Sequence, residues 1–212
     1  MRKLLVFALM VFVPLAAVAQ TQHIKFKQDG AFANLQATVT DSATGQPVAI
    51  SVQVSRGSST TSGSSASLSY TAFEESADFN TFTLTNIFGT IPTSAFTGEN
   101  TQHLNLNFDT SQLDPTTSFS QTCTLTFVPF SFVCGPGPAG MIQLEFRENG
   151  QQRTQILNLD QVVTSGLITT RIHQKSDNSS ADVQGSVFGI AVSGPFATVG
   201  VNRGSSLEII KN

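Results

Sequence analysis

The stretch HLNLNFD, residues His103–Asp109, alternates apolar and polar side chains without a break. Successive side chains of an extended chain point to opposite sides, so Leu104, Leu106 and Phe108 share one face while Asn105 and Asn107 share the other. That is the pattern of a half-buried strand. The same period of two runs through Ala66, Leu68, Tyr70 and Ala72, and through Ile142, Leu144 and Phe146. No segment carries a sustained apolar stripe of helical period, and Thr71–Phe79 is the one place for a helical turn. Turn residues punctuate the strands at Gly45–Pro47, Gly57–Ser65, Asn149–Gly150, Asp177–Ser180 and Gly194–Pro195. Short strands spaced this way predict an all-β fold, an antiparallel β-sandwich or flattened barrel.

The N-terminus reads differently. Arg2 and Lys3 precede an apolar run from Leu4 to Val18, and small residues Ala17 and Ala19 stand just before Gln20. This is the pattern of a signal peptide, residues 1–19, cleaved after Ala19 and leaving a single β-rich domain over 20–212. The run falls short of the roughly 20 apolar residues a helix needs to span a bilayer. No cysteine lies near the cut to take a lipid anchor, so the processed chain is expected to be secreted or periplasmic and not membrane-spanning.

Composition narrows the function classes. Without Arg2 and Lys3, nine basic residues face fourteen acidic ones. No basic cluster is present to neutralise phosphates, which excludes nucleic acid as a partner. Charged residues make up 12% of the chain, Trp is absent, Tyr70 is the sole tyrosine and Phe occurs 17 times. Phe therefore fills the core, and Ser, Thr, Asn and Gln supply an uncharged polar exterior.

Export gives the two cysteines their meaning. Cys123 and Cys134 enclose the apolar segment TLTFVPFSFV, and an isolated pair in an oxidising compartment is most simply a disulfide. A redox-active pair would need CxxC spacing and a helix N-terminus, and neither is present. A hairpin centred on Val128 and Pro129 sets Cys123 opposite Cys134, Leu125 opposite Phe132 and Phe127 opposite Phe130. Pro at the second turn position suits a type VI turn with a cis peptide bond. Phe on strands is usually buried, which makes this set part of the core. If the tip projects instead, Phe127, Val128, Phe130 and Phe132 form a candidate apolar contact surface for a protein, glycan or lipid.

Two further local patterns carry expectations. The segment around Asn149–Gly150 reads as a hairpin with a three-residue loop, which pairs Phe146 with Thr154 and Leu144 with Ile156. Residues 33–59 and 181–206 align with a single gap, matching Ala33, Gln36, Val39, Pro47, Val54 and Arg56 to Ala181, Gln184, Val187, Pro195, Val201 and Arg203. If this is a repeat, the two terminal hairpins occupy equivalent places in two sheets, with equal turns and equal burial of Val54 and Val201.

The chemistry motifs are weak. Gly135, Gly137 and Gly140 satisfy GxGxxG, but Pro136 and Pro138 interrupt it and a strand follows, so no helix N-terminus receives a pyrophosphate. Ser176-Asp177-Asn178 lacks the partner motifs of serine β-lactamases and reads as a polar turn. His103, Asn105, Asn107 and Asp109 share a strand face that could offer oxygens to calcium, without an EF-hand loop. The carboxylate pairs Glu74 with Glu75 and Glu145 with Glu148 would serve a glycosidase only if folding set them at a suitable separation. The TxTxT runs at Thr81–Thr85 and Thr122–Thr126 suit flat, hydrated surfaces of the kind that bind ice or matrix.

Phe26, Lys27, Gln28, Gly30, Phe32 and Ala33 form FKQxGxFA, and Leu106 with Asp109, Thr110 and Ser111 follows later. Over these short segments the chain resembles a group of uncharacterised secreted bacterial β-rich proteins. The resemblance implies export and a β-rich fold, and it brings no activity or site residues. The sequence thus predicts a secreted, non-enzymatic β-sandwich without cofactors or metal, acting as a binding or cell-surface accessory module. The alternative is an extracellular hydrolase acting on polymers such as polysaccharide.

Overall fold

A computed structural model describes residues 22–211, the side chains of Glu99 and of residues 155–157 excepted. The expected signal peptide, residues 1–19, lies outside them. Strand β1 (Gln22–Thr40) turns through Asp41–Gln46 into β2 (Pro47–Ser59), followed by β3 (Gly63–Glu75) and β4 (Thr81–Ile91). A 3-10 turn at Thr93–Ala95 leads to β5 (Phe96–Asn100) and β6 (His103–Asp109). A second, Thr110–Gln112, precedes β7 (Phe119–Thr126) and β8 (Ser131–Pro136). Three long strands complete the chain: β9 (Met141–Ser165), β10 (Ile168–Val187) and β11 (Ile190–Lys211).

All eleven strands form one antiparallel sheet in the order β5-β6-β9-β10-β11-β1-β2-β3-β4-β7-β8. The expected all-β antiparallel fold is therefore present as a single sheet whose outer strands, β5 and β8, do not pair with each other. The sheet instead rolls over itself. Phe96 is buried although β5 is an edge strand, because β5 packs against β1, β2 and β11, and Ala95 in the preceding turn is buried against β3 and β6. Leu35, Val52, Leu68, Tyr70 and Ile87 from one half meet Phe96, Leu106, Leu144, Phe146 and Val199 from the other in one continuous core. Each such large side chain contributes about 1.5–3 kcal/mol on burial, so apolar contact drives the roll. Arg56 of β2 then pins it, donating from its two terminal nitrogens to the carbonyls of Phe96 at 3.0 Å and Gly98 at 2.7 Å.

Several expected turns are bulges inside long strands. Asn149–Gly150 does not reverse the chain: β9 runs on through it, and Leu144 and Phe146 face Gly185 and Val183 of β10 and Leu106 and Leu104 of β6. Opposite Ser180 the register slips, Glu148 facing Ala181 and Arg153 facing Ser179. The Asn149 side chain stabilises this bulge, donating to Asp182 at 2.9 Å and accepting from Ser180 Oγ and the Gln151 N–H. Gly150, with φ of 70°, takes the left-handed position the bulge requires. Likewise Ser176–Asn178 lies within β10 rather than in a turn, where Asp177 accepts from Arg153 at 2.7 Å. Thr71–Phe79 holds no helical turn, since β3 runs to Glu75 and a tight turn follows.

The terminal repeat does not correspond to two equivalent structural units. Val54 and Val201 are both buried, but β1 and β2 are joined by Asp41–Gln46 whereas β10 and β11 are joined by the tight turn Phe188–Gly189. The two hairpins lie side by side in one sheet, β11 paired to β1.

Candidate functional site

The β7–β8 hairpin forms one end of the sheet, its strand β7 pairing with β4. Cys123 and Cys134 face each other across it and are joined by a disulfide, with Cα atoms 4.0 Å apart. Leu125 faces Phe132, Thr126 faces Ser131, and the Val128–Pro129 peptide at the tip is cis. These features match the expected register and turn. The expected burial does not hold. Phe127 is 49% exposed, Val128 76%, Phe130 75% and Phe132 63%, because β8 is an edge strand and none of the described residues packs over it.

The neighbouring β3–β4 turn, Ser76–Asn80, supports the tip. Asn80 accepts the Phe127 N–H on its backbone carbonyl and the Val128 N–H on Oδ1, and donates from Nδ2 to the Val128 carbonyl. Two tips are thereby held together, and the second contributes Phe79, 69% exposed, whose φ of 57° is a left-handed conformation unusual for an aromatic residue. Ser76 and the Asn80 N–H hydrogen-bond Asp78 and hold its carboxyl below the usual carboxylate range.

Behind the tip, the apolar residues lie on the side of the sheet opposite the core. Cross-strand rows place Phe73, Leu84, Cys123 and Cys134 in one line and Phe82, Leu125 and Phe132 in the next. The rings of Phe73 and Phe82 are 6.0 Å apart, and Phe82 meets Phe127 edge-on at 5.5 Å. The threonine runs therefore face the core side. Thr85 is buried and bonded to Thr122 at 2.9 Å, so this array spends hydroxyls on itself instead of presenting a flat hydrated face.

The other expected positions do not converge. His103 Nδ1 lies 3.1 Å from Glu145, which also takes the guanidinium of Arg147, while Asp109 caps the following turn by accepting the Ser111 N–H. No group of three His, Cys, Asp or Glu side chains placed to hold a metal occurs among the described residues. Glu74 accepts from Thr44, and Glu148 accepts from Thr101 and sits 3.8 Å from Arg153. A hollow of about 630 Å³ is lined by Asp29, Arg56, Ser58, Thr97, Asn202 and Arg203 among others. Among the described residues neither His103, Asp109 nor a carboxylate pair lines it, and Asp29 is taken by the Gly204 N–H.

Among the described residues no helix is long and apolar enough to cross a membrane. No family model matches the chain, and neither a curated protein nor a solved structure matches it. Sequence reasoning missed Phe79 and Asn80, since nothing in the chain's pattern links residue 80 to residue 128. The turn residues Asp78 and Asn80 were the only local signal.

Proposed function

We propose that this protein is an exported, non-catalytic module that works by contact, through the disulfide-stapled β7–β8 hairpin and the Phe79 turn beside it. One observation carries the reading: the most exposed large apolar side chains of the hairpin, Val128 and Phe130, stand on a tip whose geometry is fixed by Asn80 and by the Cys123–Cys134 bridge. A monomeric surface rarely leaves so many neighbouring aromatic groups in water unless something covers them in service. A fixed tip also loses little conformational freedom on binding, which favours affinity. Polymer hydrolysis draws less support, because the 630 Å³ hollow has, among the described residues, a single carboxylate, Asp29, already committed to a backbone N–H.

The test is the distribution of the protein between the envelope and the surrounding fluid of the cells that produce it. The wild-type protein is expected on the envelope, and Phe130→Asp, equally folded, in the fluid. Equal distribution of the two would remove the hairpin from function, and release of sugars from a polysaccharide would establish the hydrolase instead.

A further inference from the structure

The tip's own hydrogen bonds indicate what covers it. A strand-adding protein partner needs free backbone donors and acceptors, and in this hairpin these lie along the outer edge of β8, behind the tip. At the tip, the Phe127 and Val128 N–H groups and the Val128 carbonyl are already taken by Asn80, and Pro129 has no N–H to offer. Hydrocarbon makes the opposite demand, that the polar backbone be satisfied internally. Charge points the same way. Residues 115–144 contain no Asp, Glu, Lys, Arg or His, and the nearest charges on the adjoining turn and strand are Glu74, Glu75 and Asp78, all acidic. Such a surround repels anionic headgroups and leaves a neutral surface as the match.

We propose that the twin tip, Phe79 together with Phe127, Val128 and Phe130, inserts into the interface of a zwitterionic lipid bilayer. This rests on the hairpin being the contact surface. The disulfide and Asn80 keep the insertion geometry fixed, and the exposed edge of β8 stays above the hydrocarbon.

Flotation of the purified protein with phosphatidylcholine vesicles tests it, using the wild type, Phe130→Asp and Phe79→Asn. Asparagine tolerates the left-handed backbone at position 79, so this second variant should fold. The wild type should float with the vesicles independently of salt, and added phosphatidylglycerol should weaken the association. Each substitution should lower the bound-to-free ratio about tenfold, the share expected for one partly buried phenyl ring. Binding of the Phe130→Asp variant equal to wild type would overturn the proposal. So would a wild type that ignores vesicles while Phe130→Asp still releases it from the envelope, which would leave the contact reading intact and identify a protein or glycan. A concentration-dependent dimer abolished by Phe130→Asp, without vesicle binding, would identify a second copy as the occupant.

Discussion

Asn80 holds Val128 at both of its backbone polar groups, accepting its N–H at 2.8 Å and donating to its carbonyl at 3.0 Å. One side chain thus joins two turns that are remote in sequence and makes them one surface. Replacing it with alanine removes two hydrogen bonds worth about 1 kcal/mol each. Asn80→Ala should lower the melting temperature by a few degrees and speed amide exchange at Val128, while core strands such as β10 keep their protection. Unchanged exchange at Val128 would show that the tip holds its shape without Asn80.

Arg56 plays the corresponding part for the roll of the sheet. Its guanidinium reaches the Phe96 and Gly98 carbonyls where β5 lies across β2 without pairing to it. Arg56→Met should cost about 2 kcal/mol in urea unfolding, the range for hydrogen bonds from a charged donor. Arg56→Lys should recover little, because an ammonium cannot span two carbonyls as a planar fork does.

The disulfide stabilises a part of the sheet that little else holds. With β8 paired, among the described residues, only to β7, the bridge restricts the unfolded hairpin by about 2–3 kcal/mol in the chain-entropy view. The double variant Cys123→Ser, Cys134→Ser should lose exchange protection over Gln121–Pro136 while the core cluster stays protected. Global unfolding of the double variant would show that the hairpin supports the whole domain.

The single tyrosine reports on the core. Burial pushes the Tyr70 hydroxyl up to about 12, and its ring packs edge-on to Phe188 at 5.1 Å. The unfolded phenol releases its proton near pH 10, so between pH 10 and 12 the folded state binds more protons than the unfolded one. Stability from this group is complete below pH 10 and falls above it, by about 1.4 kcal/mol per pH unit through that window. Phenolate absorbance should therefore stay low at pH 10.5 in the folded protein and rise together with unfolding. A simple titration centred on pH 10 would place Tyr70 in water.

The period of two made the strands legible, and the spacing of Cys123, Pro129 and Cys134 made the hairpin's register and turn legible too. Asn149–Gly150 misled because its turn chemistry serves a bulge equally well, and the choice is made by the continuing β10 strand and by Asp182 and Ser180, which local sequence does not contain. The faces of β7 and β8 were hidden for a related reason. Alternation separates Phe132 from Thr124 without saying which side the rest of the sheet will cover, and here the core side received the threonines. The site depends on Asn80 meeting Val128, a contact that no periodicity encodes.

The exposure of the hairpin is the claim on which the functional account stands, and urea unfolding of Phe130→Asp tests it most directly. A side chain that is 75% exposed can accept a charge, so the unfolding free energy should change by less than about 0.5 kcal/mol. A loss of about 3–5 kcal/mol, the cost of disrupting a buried phenylalanine, would put Phe130 in the core and contradict the account.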